Sequence, residues 1–204
     1  MRCNSVFCKV KKGAAHLRIG LYLLIIASMI GCSKPRVPRE YGYFRVFLPE
    51  HTYQATDNEG YPYRFEVSDF AQIHPVTQAG EKYWIDIVYP KLNAHIHCSY
   101  KPIQHNLGAL SADAEEFVYN HSMKATSIPE QEYADDSERV YAVMYHLEGN
   151  TATPTQFYIT DSTQHFFRGA LYFNCIPNQD SLAPMIEYLR EDITHLIETI
   201  RWTY

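Results

Sequence analysis

Three groups of residues have types and spacings that invite chemistry. His95-Ile96-His97 would send both imidazoles to one face of a strand, a spacing able to hold a metal ion. Asp161, Ser162 and His165 include the residue types of a hydrolytic triad, but triads are assembled from distant segments and these three share one tight turn. Short-range hydrogen bonding to backbone explains Asp161-Ser162-Thr163 equally well as turn chemistry. Cys98 and Cys175 are able either to close one disulfide or to stay as two small buried thiols. Glu115-Glu116 and Asp135-Asp136 read as solvated helix and loop faces, with no acid and base roles assignable. Nine of the ten His lie beyond residue 31, so chance pairs are expected, and no third ligand stands out beside His95 and His97. The sharper signatures are absent: no G-x-G-x-x-G, Walker A, G-x-S-x-G, H-E-x-x-H or C-x-x-C. No cofactor is expected.

The elements that must position these residues follow from periodicity. Strand-like runs, rich in aromatic and β-branched residues and bounded by Pro and Gly, cover Tyr43–Leu48, Tyr61–Val67, Phe70–Val76, Tyr83–Tyr89 and Ala94–Tyr100. Leu107, Leu110, Ala114, Phe117, Val118 and His121 form one apolar stripe of a helix, with Asn106 or Ser111 as its cap. Glu138–Leu147, Gln156–Thr160 and His165–Phe173 are further strands, the last two joined as a hairpin through Asp161-Ser162-Thr163. A closing helix is capped by Asp180 or Ser181, carries Pro184 in its first turn, and shows Leu189, Ile193, Leu196 and Ile197 on one face. Grouped hairpins with two amphipathic helices predict an α+β single domain, an antiparallel β-sheet packed by helices.

The first residues read as an address. Arg2, Lys9, Lys11, Lys12 and Arg18 precede an apolar run from Ile19 to Gly31, too short to span a bilayer, which needs about 20 residues, but right for a signal peptide. The run stops at Cys32, and a small residue followed by Cys at that place resembles the bacterial lipobox, whose Cys is acylated. Residues 1–31 are therefore expected to be a lipoprotein signal, 32–41 a Pro-rich tether, and 42–204 the folded domain. Acyl chains contribute about 0.8 kcal/mol per buried CH₂, enough to tether a chain that does not cross. Of the 204 residues, with net charge −5, the signal takes five bases and no acid, leaving a body of net −10. An acidic body lacks the basic stripe that nucleic acid requires. A chain 46% hydrophobic and 14% aromatic is too apolar for disorder.

Several stretches together resemble one family. They are Gln156–Asn174, Pro177–Pro184 and Asp192–Trp202, with Gly42-Tyr-Phe-Arg45, Pro62-Tyr63, Trp84-Ile85, Ile96-His97 and Ser99-Tyr-Lys-Pro102 upstream. The chain is similar to the gliding-motility lipoprotein GldD family of the Bacteroidota over nearly its whole mature length. The resemblance implies an envelope lipoprotein required for gliding and for the associated type IX secretion, with other envelope proteins and the membrane as partners and no nucleic acid. It brings no catalytic residues, and only Cys32 transfers, as the lipid-bearing position. It also implies a non-enzymatic assembly or stability factor. The alternative is a periplasmic hydrolase or metal-binding lipoprotein built on His95, His97 or the Ser162–His165 turn. The closing strand and long helix resemble a photosystem-P/Mog1-like sandwich at the level of fold. Ser33-Lys34-Pro35-Arg36 lacks the acids that follow the Cys of surface-exported lipoproteins in that phylum, which implies a periplasm-facing domain on the outer membrane. Asp161-Ser162-Thr163 and Asp180-Ser181-Leu182 resemble the O-glycosylation motif of the same phylum, with Ser162 the better site.

Overall fold

The run His165–Phe173 is apolar enough to be covered on both sides, and it forms the middle of the main sheet. The computed structural model describes residues 46–56, 59–78 and 80–203. In chain order the strands are β1 (Tyr53–Ala55), β2 (Tyr63–Arg64), β3 (Glu66–Ser68), β4 (Gln72–Gln78), β5 (Glu81–Tyr89), β6 (Ala94–Pro102), β7 (Ala125–Ser127), β8 (Glu130–Asp135), β9 (Val140–His146), β10 (Glu148–Gly149), β11 (Thr155–Thr160), β12 (His165–Phe173) and β13 (Arg201–Trp202). The helices are α1 (Leu107–His121) and α2 (Gln179–Thr199). Seven strands form one antiparallel sheet in the order β4-β5-β6-β12-β11-β9-β8. Three short two-stranded pairings, β1 with β3, β2 with β13 and β7 with β10, flank it. The fold is α+β, one domain with an antiparallel sheet between helices.

The period of two along each strand divides the sheet into two faces. Ala94, Ile96, Cys98 and Tyr100 of β6 join Ile85, Ile87, Phe157, Ile159, Phe167 and Leu171 under Leu189, Ile193, Leu196 and Ile197 of α2. Leu189 and Ile193 are wholly buried there, each contributing about 1.5–3 kcal/mol relative to exposure. On the other face α1 rests on β11 and β12, with Leu110 and Ala114 against Phe166, and Val118 against Tyr145 and Leu147. The same face of β5 and β6 carries Trp84, Asp86, His95, His97 and Ser99, all half-buried or exposed. The second face is therefore only half covered.

Gly169 shows how tightly the centre is packed. A Cβ there would lie 2.2 Å from the Phe157 ring on the neighbouring strand, so glycine lets Phe157 lie flat across β12. The outer strands are blunted as edges require. Pro75 sits in β4, and β8 carries Glu130, Glu132 and Asp135.

Several sequence expectations are corrected. The strand expected over Tyr43–Leu48 is not formed by its described residues, since residues 46–50 have no regular structure. Of Asp135-Asp136, expected on a solvated loop, Asp136 lies in a turn but Asp135 ends the edge strand β8, which pairs with β9 along its whole length. Asn178 caps α2, its side chain accepting from the Ser181 N–H at 3.2 Å. This earlier start puts Pro184 inside the helix, past the first turn, where it withholds one helical N–H. Asn106 begins α1, but its side chain accepts instead from Gln104 N–H, and Ser111 bonds back to the carbonyls of Leu107 and Gly108. Phe117, expected in the apolar stripe, is about half exposed because it overhangs the uncovered half of the sheet.

Candidate functional site

The hairpin between β11 and β12 gathers Asp161, Ser162 and His165. Asp161 is buried, and its Oδ1 accepts from the backbone N–H groups of Thr163, Gln164 and His165 at 2.8–3.0 Å. Its Oδ2 accepts from the Thr163 hydroxyl, with the Arg139 guanidinium 3.7 Å away. Burial alone would raise this carboxyl, but the backbone and hydroxyl donors outweigh it and hold it at about 2. Ser162 is exposed with φ +66°, the left-handed geometry a tight turn demands. The His165 imidazole is buried, hydrogen-bonded through Nδ1 to Tyr100 Oη at 2.8 Å and stacked on Trp202. Burial lowers its pKa and pushes that of Tyr100 up to about 12. The residue types of a triad therefore close a hairpin and tie β12 to the C-terminal strand.

The His95 and His97 rings do share a face, with centroids 4.4 Å apart. Register across the sheet sets Asp86 directly opposite His97, and His97 Nδ1 is 2.5 Å from Asp86 Oδ1. His95 stacks on Tyr172, and burial together with the neighbouring His97 lowers its pKa. Among the described residues no group of three or more His, Cys, Asp or Glu is placed to hold a metal ion. Cys98 and Cys175 are both free. Cys98 faces the core opposite Gly169, whereas Cys175 lies past the last pairing of β12, Phe173 with Ala94. Strand register thus keeps the two thiols from bridging, and burial pushes the Cys98 thiol up. Cys32 lies outside the described residues.

Two arrangements escaped sequence reasoning. One fastens the N-terminal segment to α2. His51 Nδ1 lies 2.7 Å from Asp192 Oδ1 and its Nε2 2.8 Å from Glu191 Oε2. Its ring stacks on Tyr188, and Tyr53 donates to Asp192 while stacking on His195. His195 in turn meets Glu66 at 2.8 Å. The other is a cavity of about 370 Å³ on the uncovered half of the sheet, between Trp84 on β5, Phe117 on α1 and Arg168 on β12. Asp86, His97, Lys101 and Asp113 supply its polar wall. Alternation within β5, β6 and β12 was visible beforehand, but the register that sets Arg168 opposite Ser99 and Asp86 opposite His97 was not.

Fold and site together define a class: an α+β domain whose seven-stranded sheet packs α2 against one face and, on the other, α1 over half of its width beside a lined cavity. The family follows from comparison. Residues 33–202 match the family described as gliding motility lipoprotein GldD, and the chain belongs to that family. Membership sets it among envelope-associated, lipid-anchored proteins involved in gliding motility. Comparison with curated proteins gives no match. Among solved structures the chain is similar to the solution structure of cyanobacterial PsbP (CyanoP) from Synechocystis sp. PCC 6803. The identity is 8% over 76% of this chain and 95% of that one, with a TM-score of 0.47. A likeness so distant carries no argument, and the α+β assignment rests on the strand order itself.

Proposed function

We propose that this protein supports gliding motility and the associated type IX secretion by binding other envelope proteins, without catalysing a reaction. In this reading residues 1–31 are a cleaved signal, Cys32 carries acyl chains, residues 32–41 are the tether, and residues 42–204 face the periplasm from the outer membrane. The observation that carries it is the extent of the family match, which begins at Ser33, directly after Cys32, and runs to Trp202. Anchoring keeps the domain at high effective concentration beside other envelope components. Phe117, Tyr119 and Met123, exposed at the C-terminal end of α1, are apolar contacts suited to a protein partner. Ser162, exposed at the tip of its turn, is the proposed O-glycosylation site. Ser181 is exposed too, because Asn178 rather than Ser181 caps the helix.

Deletion is expected to abolish spreading and to retain adhesin precursors inside cells. Ser162→Ala, His95→Ala and His97→Ala at normal protein level should keep motility. Loss of motility in any of them would favour the hydrolase or metal reading. Intact mass should show a diacyl or triacyl adduct on Cys32, and protease treatment of whole cells should leave the domain uncut. Glycopeptide mass spectrometry without sugar at Ser162 removes that site.

A further inference from the structure

Arg168 stands on the central strand, facing the uncovered half of the sheet. Its Nη2 donates to Gln156 Oε1 at 2.7 Å, and its guanidinium lies 4.3 Å from the centroid of the Phe117 ring. Desolvation lowers its pKa, and the only groups opposing that are Tyr172 and Cys98. No carboxylate among the described residues pairs with it. A cation taken partly out of water without a counter-ion is unfavourable, and a guanidinium has five donors, of which Gln156 uses one. Arg168 borders the cavity of about 370 Å³, whose apolar walls include Trp84 and Phe117. Its size matches small-ligand pockets, in which apolar walls provide area and a few polar groups fix orientation. Asp86, the nearest acid by register, is taken by His97. Asp113 on α1 lines the same cavity, and among the described residues it forms no ion pair.

We propose that this cavity is a binding site for a carboxylate joined to an apolar group, with Arg168 receiving the carboxylate and Trp84 and Phe117 enclosing the apolar part. Planar guanidinium suits bidentate carboxylate binding. The chemistry has two sources, a free small organic acid or an acidic side chain beside an aromatic one in a peptide. The proposal stands apart from any role in motility, because it rests on the cavity alone.

The test uses the full-length mature protein, purified in detergent, and two probe pairs. One pair is 3-phenylpropanoate and its primary amide; the other is N-acetyl-Asp-Phe-amide and N-acetyl-Asn-Phe-amide. Binding is read from ¹H–¹⁵N shifts of the Trp84 indole and the Arg168 Nε–H. Each acid should bind at least about tenfold more tightly than its uncharged partner, as expected for one charge-assisted interaction. The pair with the larger contrast identifies the source. Arg168→Gln should bring the acids down to the level of the amides. Asp113→Asn, at an exposed helix position, should tighten the acids several-fold by removing a competing charge. Phe117→Ala, also exposed, should weaken every probe and leave the fold intact. Equal binding of acid and amide by the unaltered domain, or binding of none of the four, overturns the proposal without requiring any variant to fold.

Discussion

Replacing Asp161 by Asn changes one charge at a site whose geometry an amide can reproduce. The amide oxygen is able to accept from the N–H groups of Thr163, Gln164 and His165 in place of Oδ1, and its NH₂ to face the Thr163 hydroxyl. What is lost is the ionic share of those bonds and the attraction of Arg139. A carboxyl held at about 2 instead of its ordinary 3.8 stabilises the fold by at most about 2.4 kcal/mol at neutral pH. Solvent reaching the exposed Thr163 and Gln164 screens part of that, leaving about 1–2 kcal/mol. The folded-state value is depressed, so this stability is fully present above the unfolded carboxyl's 3.8 and disappears as pH falls through about 2. Urea midpoints of both proteins between pH 7 and pH 2.5 measure it. Asp135, held low by the Ser137 hydroxyl and nearby N–H groups, titrates in both and cancels in the difference. The variant should be weaker by about 1–2 kcal/mol from pH 7 to pH 5, with the gap narrowing below pH 4. A gap that stays constant down to pH 2.5 would refute the assignment of charge to this turn.

Three further outcomes follow from the packing. His51→Ala or Asp192→Ala should each cost about 1–2 kcal/mol in urea unfolding, since each removes a charge-assisted hydrogen bond while Asp192 keeps the Tyr53 hydroxyl and His51 keeps Glu191, and the double variant should cost less than the sum of the two. Gly169→Ala, whose methyl meets the Phe157 ring at 2.2 Å, should destabilise by about 3 kcal/mol, and adding Phe157→Leu should restore part of it; a neutral Gly169→Ala contradicts the close approach. In native protein a thiol reagent should modify Cys175 and leave Cys98 until unfolding, whereas two unreactive thiols would restore the disulfide that register excludes.

How far the fold was legible depended on how local its determinants are. Leu107–His121 was readable because its stripe is internal to the helix, and β11–β12 because a turn and two apolar runs are contiguous. The expected caps failed by a few residues, since Asn178, Asp180 and Ser181 are all chemically able to cap and the strand before them decides which does. The strand over Glu130–Asp135 was hidden because an edge carries charge, so its acids masked the alternation that pairs it with β9. β1 and β13 were missed for the opposite reason: two or three residues hold too little periodicity to read, and each exists only through its partner, nearby β3 for β1 and distant β2 for β13.

The chemistry-bearing residues divide along the same line. Asp161 and His165 were found by sequence because they share a turn, and their proximity was itself the reason to distrust a triad. His51 and Asp192, 141 positions apart, and His195 and Glu66, 129 apart, carried no local sign, although the two pairs close to 2.7 and 2.8 Å. All four, with Asp161, are spent on joints: a hairpin closed, an N-terminal segment fastened to α2, a helix end fixed to β3. Arg168 differs because it stands inside a run that reads as plain strand, His165-Phe-Phe-Arg-Gly-Ala-Leu-Tyr-Phe173, where a charge is costly unless it is used. α1 covers Phe166, but over the row that Arg168 shares with Ser99 it reaches only with Phe117, leaving the cavity beside Trp84 open. A helix shifted across that row would bury the guanidinium, and a Leu at the position would close the gap. The domain does neither, and the half-covered face with its cation is the feature that packing alone does not require.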